Sequence, residues 1–145
     1  GFPELLATWP FNGATDVPPL RGVEVFFYFS GPVEWTPFGQ VLYYNETDAM
    51  LSIPTNSYLP DRNDGALQVV SEHHAVKVRL PTPGNFPLLR QSRQFALVLT
   101  AGSLKDRDLG NVSDTIRVEF KCLDMALGNA LPRVVAADVA EGATR

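Results

Sequence analysis

Apolar side chains in this chain recur at every second residue, in short bursts. Val23, Val25, Phe27 and Phe29 share one parity, as do Val76, Val78 and Leu80, then Phe95, Leu97 and Leu99, then Ile116, Val118 and Phe120. A period of two places such residues on one face of a pleated strand, whereas a helix needs a spacing of three or four. Lys77 and Arg79 fall between the apolar positions of the second burst, the half-buried pattern of an antiparallel sheet. Around Phe27 the second face carries Glu24, then Phe26 and Tyr28. Two aromatic faces predict a central strand, or one whose outer face is covered.

Turn chemistry separates the bursts. Twelve prolines and eleven glycines are spread along the chain, and they break helices and ladders while supplying the backbone angles of tight turns. Strands are expected at Glu4–Trp9, Val23–Phe29, Gln40–Tyr44, Leu67–Ser71, Ala75–Leu80, Phe95–Leu99 and Thr115–Phe120. Turns or loops are expected at Pro10–Pro19, Ser30–Pro32, Asn45–Asp48, Pro54–Ala66, Glu72–His74, Pro81–Pro87 and Ser103–Ser113. Cys122–Leu127 reads as one short helical turn. About seven strands and no long helix predict an all-β, Greek-key β-sandwich. The length of 145 residues suits one domain, which buries roughly 70% of the surface its unfolded chain exposes.

Charge narrows the partners. The net charge is −4 and the basic residues do not cluster, so there is no positive stripe for phosphates and no nucleic-acid partner is expected. No apolar run approaches the roughly 20 residues that span a bilayer, and neither membrane insertion nor a signal peptide is expected. Cys122 is the sole cysteine, which excludes a disulfide within the chain. It reads as a small buried hydrophobe or as one half of an intermolecular disulfide.

A repeat is visible. Phe2-Pro3-Glu4-Leu5-Leu6-Ala7 and Gly13-Ala14-Thr15 return as Leu131-Pro132-Arg133-Val134-Val135-Ala136 and Gly142-Ala143-Thr144. The offset is constant, 132 − 3 = 129 for the proline and 142 − 13 = 129 for the glycine. This predicts a unit over residues 1–129 and the first strand of a following repeat over 130–145. Stacked β units give reach and stiffness, a use found in fibres and stalks more than in enzymes.

Two segments carry a resemblance. Pro10-Phe11-Asn12-Gly13-Ala14-Thr15-Asp16-Val17-Pro18 precedes an apolar strand that closes on Phe29-Ser30-Gly31-Pro32-Val33. Phe95–Leu99, Leu104-Lys105-Asp106, Gly110-Asn111 and Val118-Glu119-Phe120 follow in order. Over residues 3–120 the chain resembles bacterial Ig-like domains of the S-layer and surface-protein type. The resemblance implies an immunoglobulin-like sandwich acting as a spacer or adhesive module. Phe95 stands where that family usually has Tyr, and the segment 45–66 is longer than usual, which are departures from its pattern.

Candidate sites are sparse. Asn45-Glu46-Thr47 and Asn111-Val112-Ser113 fit the N-glycosylation pattern, making Asn45 and Asn111 the expected glycosylation sites. Asp106, Asp108 and Asn111, with Asp114, supply oxygens that calcium could use. Their spacing fits a calcium loop poorly, however, and fits a turn that caps its own backbone well. His73 and His74 are adjacent and point to opposite faces of a strand, so they cannot chelate one ion. Trp9 is expected in the core and Trp35 in a loop, as the exposed contact residue. Trp9, Trp35, Tyr28, Tyr43, Tyr44 and Tyr58 could also form a sugar-stacking platform. Catalytic motifs are absent, and no catalytic residue, cofactor or metal is expected. The functional expectation is a non-catalytic structural repeat of an extracellular or cell-surface filament, stalk or matrix protein. Its expected partners are neighbouring repeats, further copies of itself, and glycans. The alternatives are an adhesive, carbohydrate-binding module and an accessory domain of a secreted hydrolase.

Overall fold

Where side chains alternate between apolar and polar, the backbone can bury one face only by extending and pairing its N–H and C=O groups with neighbours. The computed structural model, which describes residues 1–17, 24–62, 64–80 and 94–122, pairs them in eleven strands. These are β1 (Leu5–Trp9), β2 (Ala14–Val17), β3 (Glu24–Phe29), β4 (Val33–Trp35), β5 (Gln40–Asn45), β6 (Asp48–Pro54), β7 (Leu67–Val70), β8 (Ala75–Arg79), β9 (Gln94–Leu99), β10 (Leu104–Asp106) and β11 (Ile116–Cys122). A 3-10 turn over Thr55–Ser57 is the one helical element among the described residues. The protein is all-β.

Three sheets result, ordered β1-β3-β8-β7, β2-β11-β9-β5-β6 and β10-β4. Every pairing is antiparallel except that of β2 with β11. Although β1 and β2 follow one another, they lie in different sheets. The crossing is pinned by Gly13, at φ 87°, whose N–H donates to the Glu119 carbonyl at 2.7 Å. A side chain at that φ would be strained. Asn12 Oδ1 accepts the Glu119 N–H at 2.8 Å, completing the tie.

The two larger sheets share one core, giving a sandwich-like arrangement. Val25, Phe27, Phe29, Leu67, Val76 and Val78 face in from one sheet. Val41, Tyr43, Phe95, Leu97, Leu99, Val118 and Phe120 face in from the other, and all thirteen are 3% exposed or less. Burying each such side chain contributes roughly 1.5–3 kcal/mol. Phe95 is fully buried, its ring stacked 5.8 Å from Tyr43 and tilted 6.2 Å from Phe120.

The seven expected strands fall on β1, β3, β5, β7, β8, β9 and β11 to within one or two residues. Four more lie where no strand is expected. β4 and β10 have three residues each, too few to display alternation. β6 is an edge strand with no fully buried residue; Ala49, Leu51 and Ile53 do alternate along it, with Leu51 and Ile53 packed partly buried against the core, an alternation the expected strands do not include. β2 sits inside the Pro/Gly crossover. Val23, the Pro81–Pro87 loop, the helical turn beyond Cys122 and the expected strand at 130–145 lie outside the described residues.

Candidate functional site

The two tryptophans exchange their expected places. Trp35 is 6% exposed and belongs to the core cluster. It ends β4 with the parity of buried Val33, and its indole Nε1 donates to the Gln68 carbonyl at 3.2 Å. An indole packed and bonded in this way cannot serve as an exposed contact, which corrects the expectation for Trp35. Trp9 is 60% exposed, which corrects the other half. It pairs with Phe26 on edge strand β1, and Phe26 belongs to the outward parity of β3. Tyr43 is also lost to a platform, being 1% exposed, while Tyr58 packs against the core.

The acidic turn folds as a cap. Asp106 is 7% exposed, and its Oδ1 accepts the N–H groups of Asp108 at 2.8 Å and Leu109 at 3.1 Å. The Asp106 carbonyl accepts from Gly110 N–H, and its own N–H donates to the Asn111 carbonyl at 2.7 Å. Asp108 and Asn111 are exposed. Among the described residues no three His, Cys, Asp or Glu side chains gather closely enough to hold a metal ion.

The sequons differ in setting. Asn111 is exposed, but the hydroxyl of its partner Ser113 is buried and accepts the Leu104 N–H at 3.2 Å. Asn45 ends β5, pairs with both Asp48 and Phe95, and keeps its Oδ1 buried without a partner. Cys122 ends β11 opposite Val17. His73 and His74 lie in the β7–β8 turn, where Ser71, Glu72 and His73 all adopt positive φ.

The surface with most chemistry is the outward face of the four-stranded sheet. Register assembles it row by row, because paired residues share a face. One row runs Trp9, Phe26, Lys77, Gln68; the next runs Ala7, Tyr28, Ala75, Val70; a third joins Glu24 to Arg79. The rings of Phe26 and Tyr28 are nearly parallel, 12° apart with centroids 6.1 Å apart, and Lys77 Nζ lies 5.8 Å from the Phe26 centroid. Glu24 Oε2 joins the two cations, at 3.0 Å from Arg79 Nη2 and 3.3 Å from Lys77 Nζ. The Arg79 hydrogen bond holds the Glu24 carboxyl below its ordinary pKa against the opposing cost of burial, with Lys77 assisting. Such a face can stack flat apolar groups beside fixed charged donors. The parity of Glu24, Phe26 and Tyr28 was legible from sequence, but their neighbours were not.

The strand directions set the poles of the molecule. Residues Phe2, Pro3 and Leu5 line a shallow groove with Val112–Ile116, so β1 starts beside the start of β11. From there β11 runs antiparallel to β9, from Ile116 opposite Leu99 to Lys121 opposite Gln94. Among the described residues the first strand therefore begins at one pole and the last strand ends at the other. Among the described residues no helix is long and apolar enough to cross a membrane. Comparisons with family models, with curated proteins and with solved structures return no match.

Proposed function

We propose that the chain is one immunoglobulin-like, Greek-key repeat of a long extracellular or cell-surface structural protein, without catalytic activity, on the pattern of the bacterial Ig-like domains it resembles. The observation that carries this reading is the 129-residue recurrence taken together with the fold. The segment that returns at 131–144 is the one that here forms β1, the crossover and the start of β2. A second copy of a starting strand is what a following unit requires. The start of β1 and the end of β11 lie at opposite poles, which supports head-to-tail stacking, since units joined through distant ends add length with each copy. The divided β1–β2 run, with β2 parallel to β11 and β1 antiparallel to β3, supports the Ig-like topology.

Limited proteolysis of the protein as it occurs in its source, read by intact mass, tests the proposal. The expected product is a ladder of resistant fragments stepped by one unit of 129 residues. A source protein with a single resistant unit, or with no second copy downstream of Arg145, would overturn it.

A further inference from the structure

We infer that the pole at which β1 begins is a stacking surface for the preceding copy of the unit, with Phe38 and Leu109 as its apolar anchors. The inference rests on the array proposed above and names where its units touch. Phe38 is 85% exposed and Leu109 is 73% exposed, more than any other large apolar side chain among the described residues. Both belong to this pole. Phe38 lies two residues before Gln40, whose carbonyl accepts the Thr100 N–H at 3.0 Å. Thr100 directly follows Leu99, which pairs with Ile116 at the start of β11. Leu109 stands in the loop between β10 and β11. There the Arg107 N–H donates to the Pro32 carbonyl at 3.0 Å, just beyond the end of β3, and Val112, 58% exposed, lines the groove with Phe2 and Leu5.

Both loops are stapled from beneath. The hydroxyl of buried Thr36 accepts the Phe38 N–H at 3.2 Å, and that of buried Thr55 accepts the Gly39 N–H at 2.8 Å. Buried Asp106 accepts the Leu109 N–H at 3.1 Å, and Val112 bridges to Lys105. Apolar side chains displayed on a fixed backbone lose little further freedom when covered, so more of their burial remains as affinity. Connectivity chooses the occupant. At the offset of 129, Ala130 is the counterpart of Gly1, so in an array the chain enters this pole from residues 123–130 of the preceding copy. Those residues number 130 − 122 = 8 after the end of β11 and reach about 30 Å at full stretch. The tether holds the far end of that copy beside Phe38 and Leu109 at a higher local concentration than a free partner attains. Leu123, Met125 and Leu127 of the connector bring apolar side chains to the same junction.

A tandem of two copies joined at this spacing, residues 1–129 followed by 1–145, tests the surface by urea unfolding against the 145-residue chain. The midpoint of the tandem should exceed that of the single chain by about 0.5 M. Phe38→Asp in the second copy should abolish the gain, and so should Leu109→Ser there. The same substitutions in the first copy, whose pole has no predecessor, should leave the gain intact. Neither should move the midpoint of the single chain, because both side chains are solvent-facing. A tandem with the single chain's midpoint would leave the pole to a different partner and overturn the assignment. A gain that survives both substitutions in the second copy, or a loss of equal size from the first copy or in the single chain, would overturn it as well. Whether the source protein continues into a second copy is decided by its own proteolytic ladder, so the stacking surface and the repeat fail separately.

Discussion

Trp9 and Trp35 each end a short strand, yet one is 60% exposed and the other 6%. Around Trp35 the chain is sealed: Thr36, Thr55 and Ser103 are buried nearby, and their hydroxyls serve the backbone. Thr36 Oγ1 donates to the Gly102 carbonyl and accepts the Phe38 N–H, and Thr55 Oγ1 accepts the Gly39 N–H at 2.8 Å. Trp9 instead pairs with half-buried Phe26 from the edge strand β1. The difference shows that register and strand position, not residue type, decide what a tryptophan does here. An interior indole is one more packed hydrophobe with its N–H satisfied, while the edge-strand indole is left largely exposed.

The largest expected effect comes from truncating both. Trp35→Ala should cost about 3–5 kcal/mol, through a cavity in the core and loss of the indole hydrogen bond to the Gln68 carbonyl. Trp9→Ala should stay within about 0.5 kcal/mol. Urea unfolding of the two variants measures the contrast. Similar losses in both would erase the distinction between a sealed and an open region.

That contrast also marks what could be read without coordinates. Parity alone placed Val25, Phe27 and Phe29, then Val76 and Val78, then Leu97 and Val118 on apolar strand faces, because those strands are long enough to alternate. Trp35 escaped because β4 offers only Val33 as a same-parity companion across three residues. Trp9 escaped because Leu5-Leu6-Ala7-Thr8-Trp9 does not alternate, as befits a strand whose residues are mostly exposed. The outward face was legible only in fragments. Glu24, Phe26 and Tyr28 share a parity, as do Lys77 and Arg79, but parity says nothing of which residue lies opposite which. A slip of one residue would turn the aromatic rings inward, so the pairing of Phe26 with Trp9 and Lys77 had to come from the structure.

A sealed region should also refuse added volume. At Gly39, a Cβ would sit 2.7 Å from the Ser103 Cα and 2.1 Å from its Oγ, well inside contact distance, and backbone must move to admit it. Gly39→Ala should therefore cost about 1–3 kcal/mol, a loss read from the urea midpoint at unchanged slope. A neutral result would mean that the β4–β5 loop is looser than its buried hydroxyls imply. Two methyls added on the outward face, by Ala7→Val, should by contrast be tolerated within about 0.5 kcal/mol.

The smallest effect belongs to the ion pairs of the open face. Glu24→Gln should cost under about 1 kcal/mol, because a partly exposed pair is screened by solvent and salt. Its pH dependence is the more telling readout. Arg79 and Lys77 depress the Glu24 pKa in the folded protein, so the stabilisation is fully present above the unfolded value of about 4.3. It disappears as pH falls through the lower folded value. The stability difference between the parent and Glu24→Gln should thus be flat from neutral pH down to about pH 5 and shrink toward zero in stronger acid. A difference that grows on acidification would mean that Glu24 is held protonated by burial. The outer face would then behave like the interior, and the division drawn between Trp9 and Trp35 would not extend to the charges beside them.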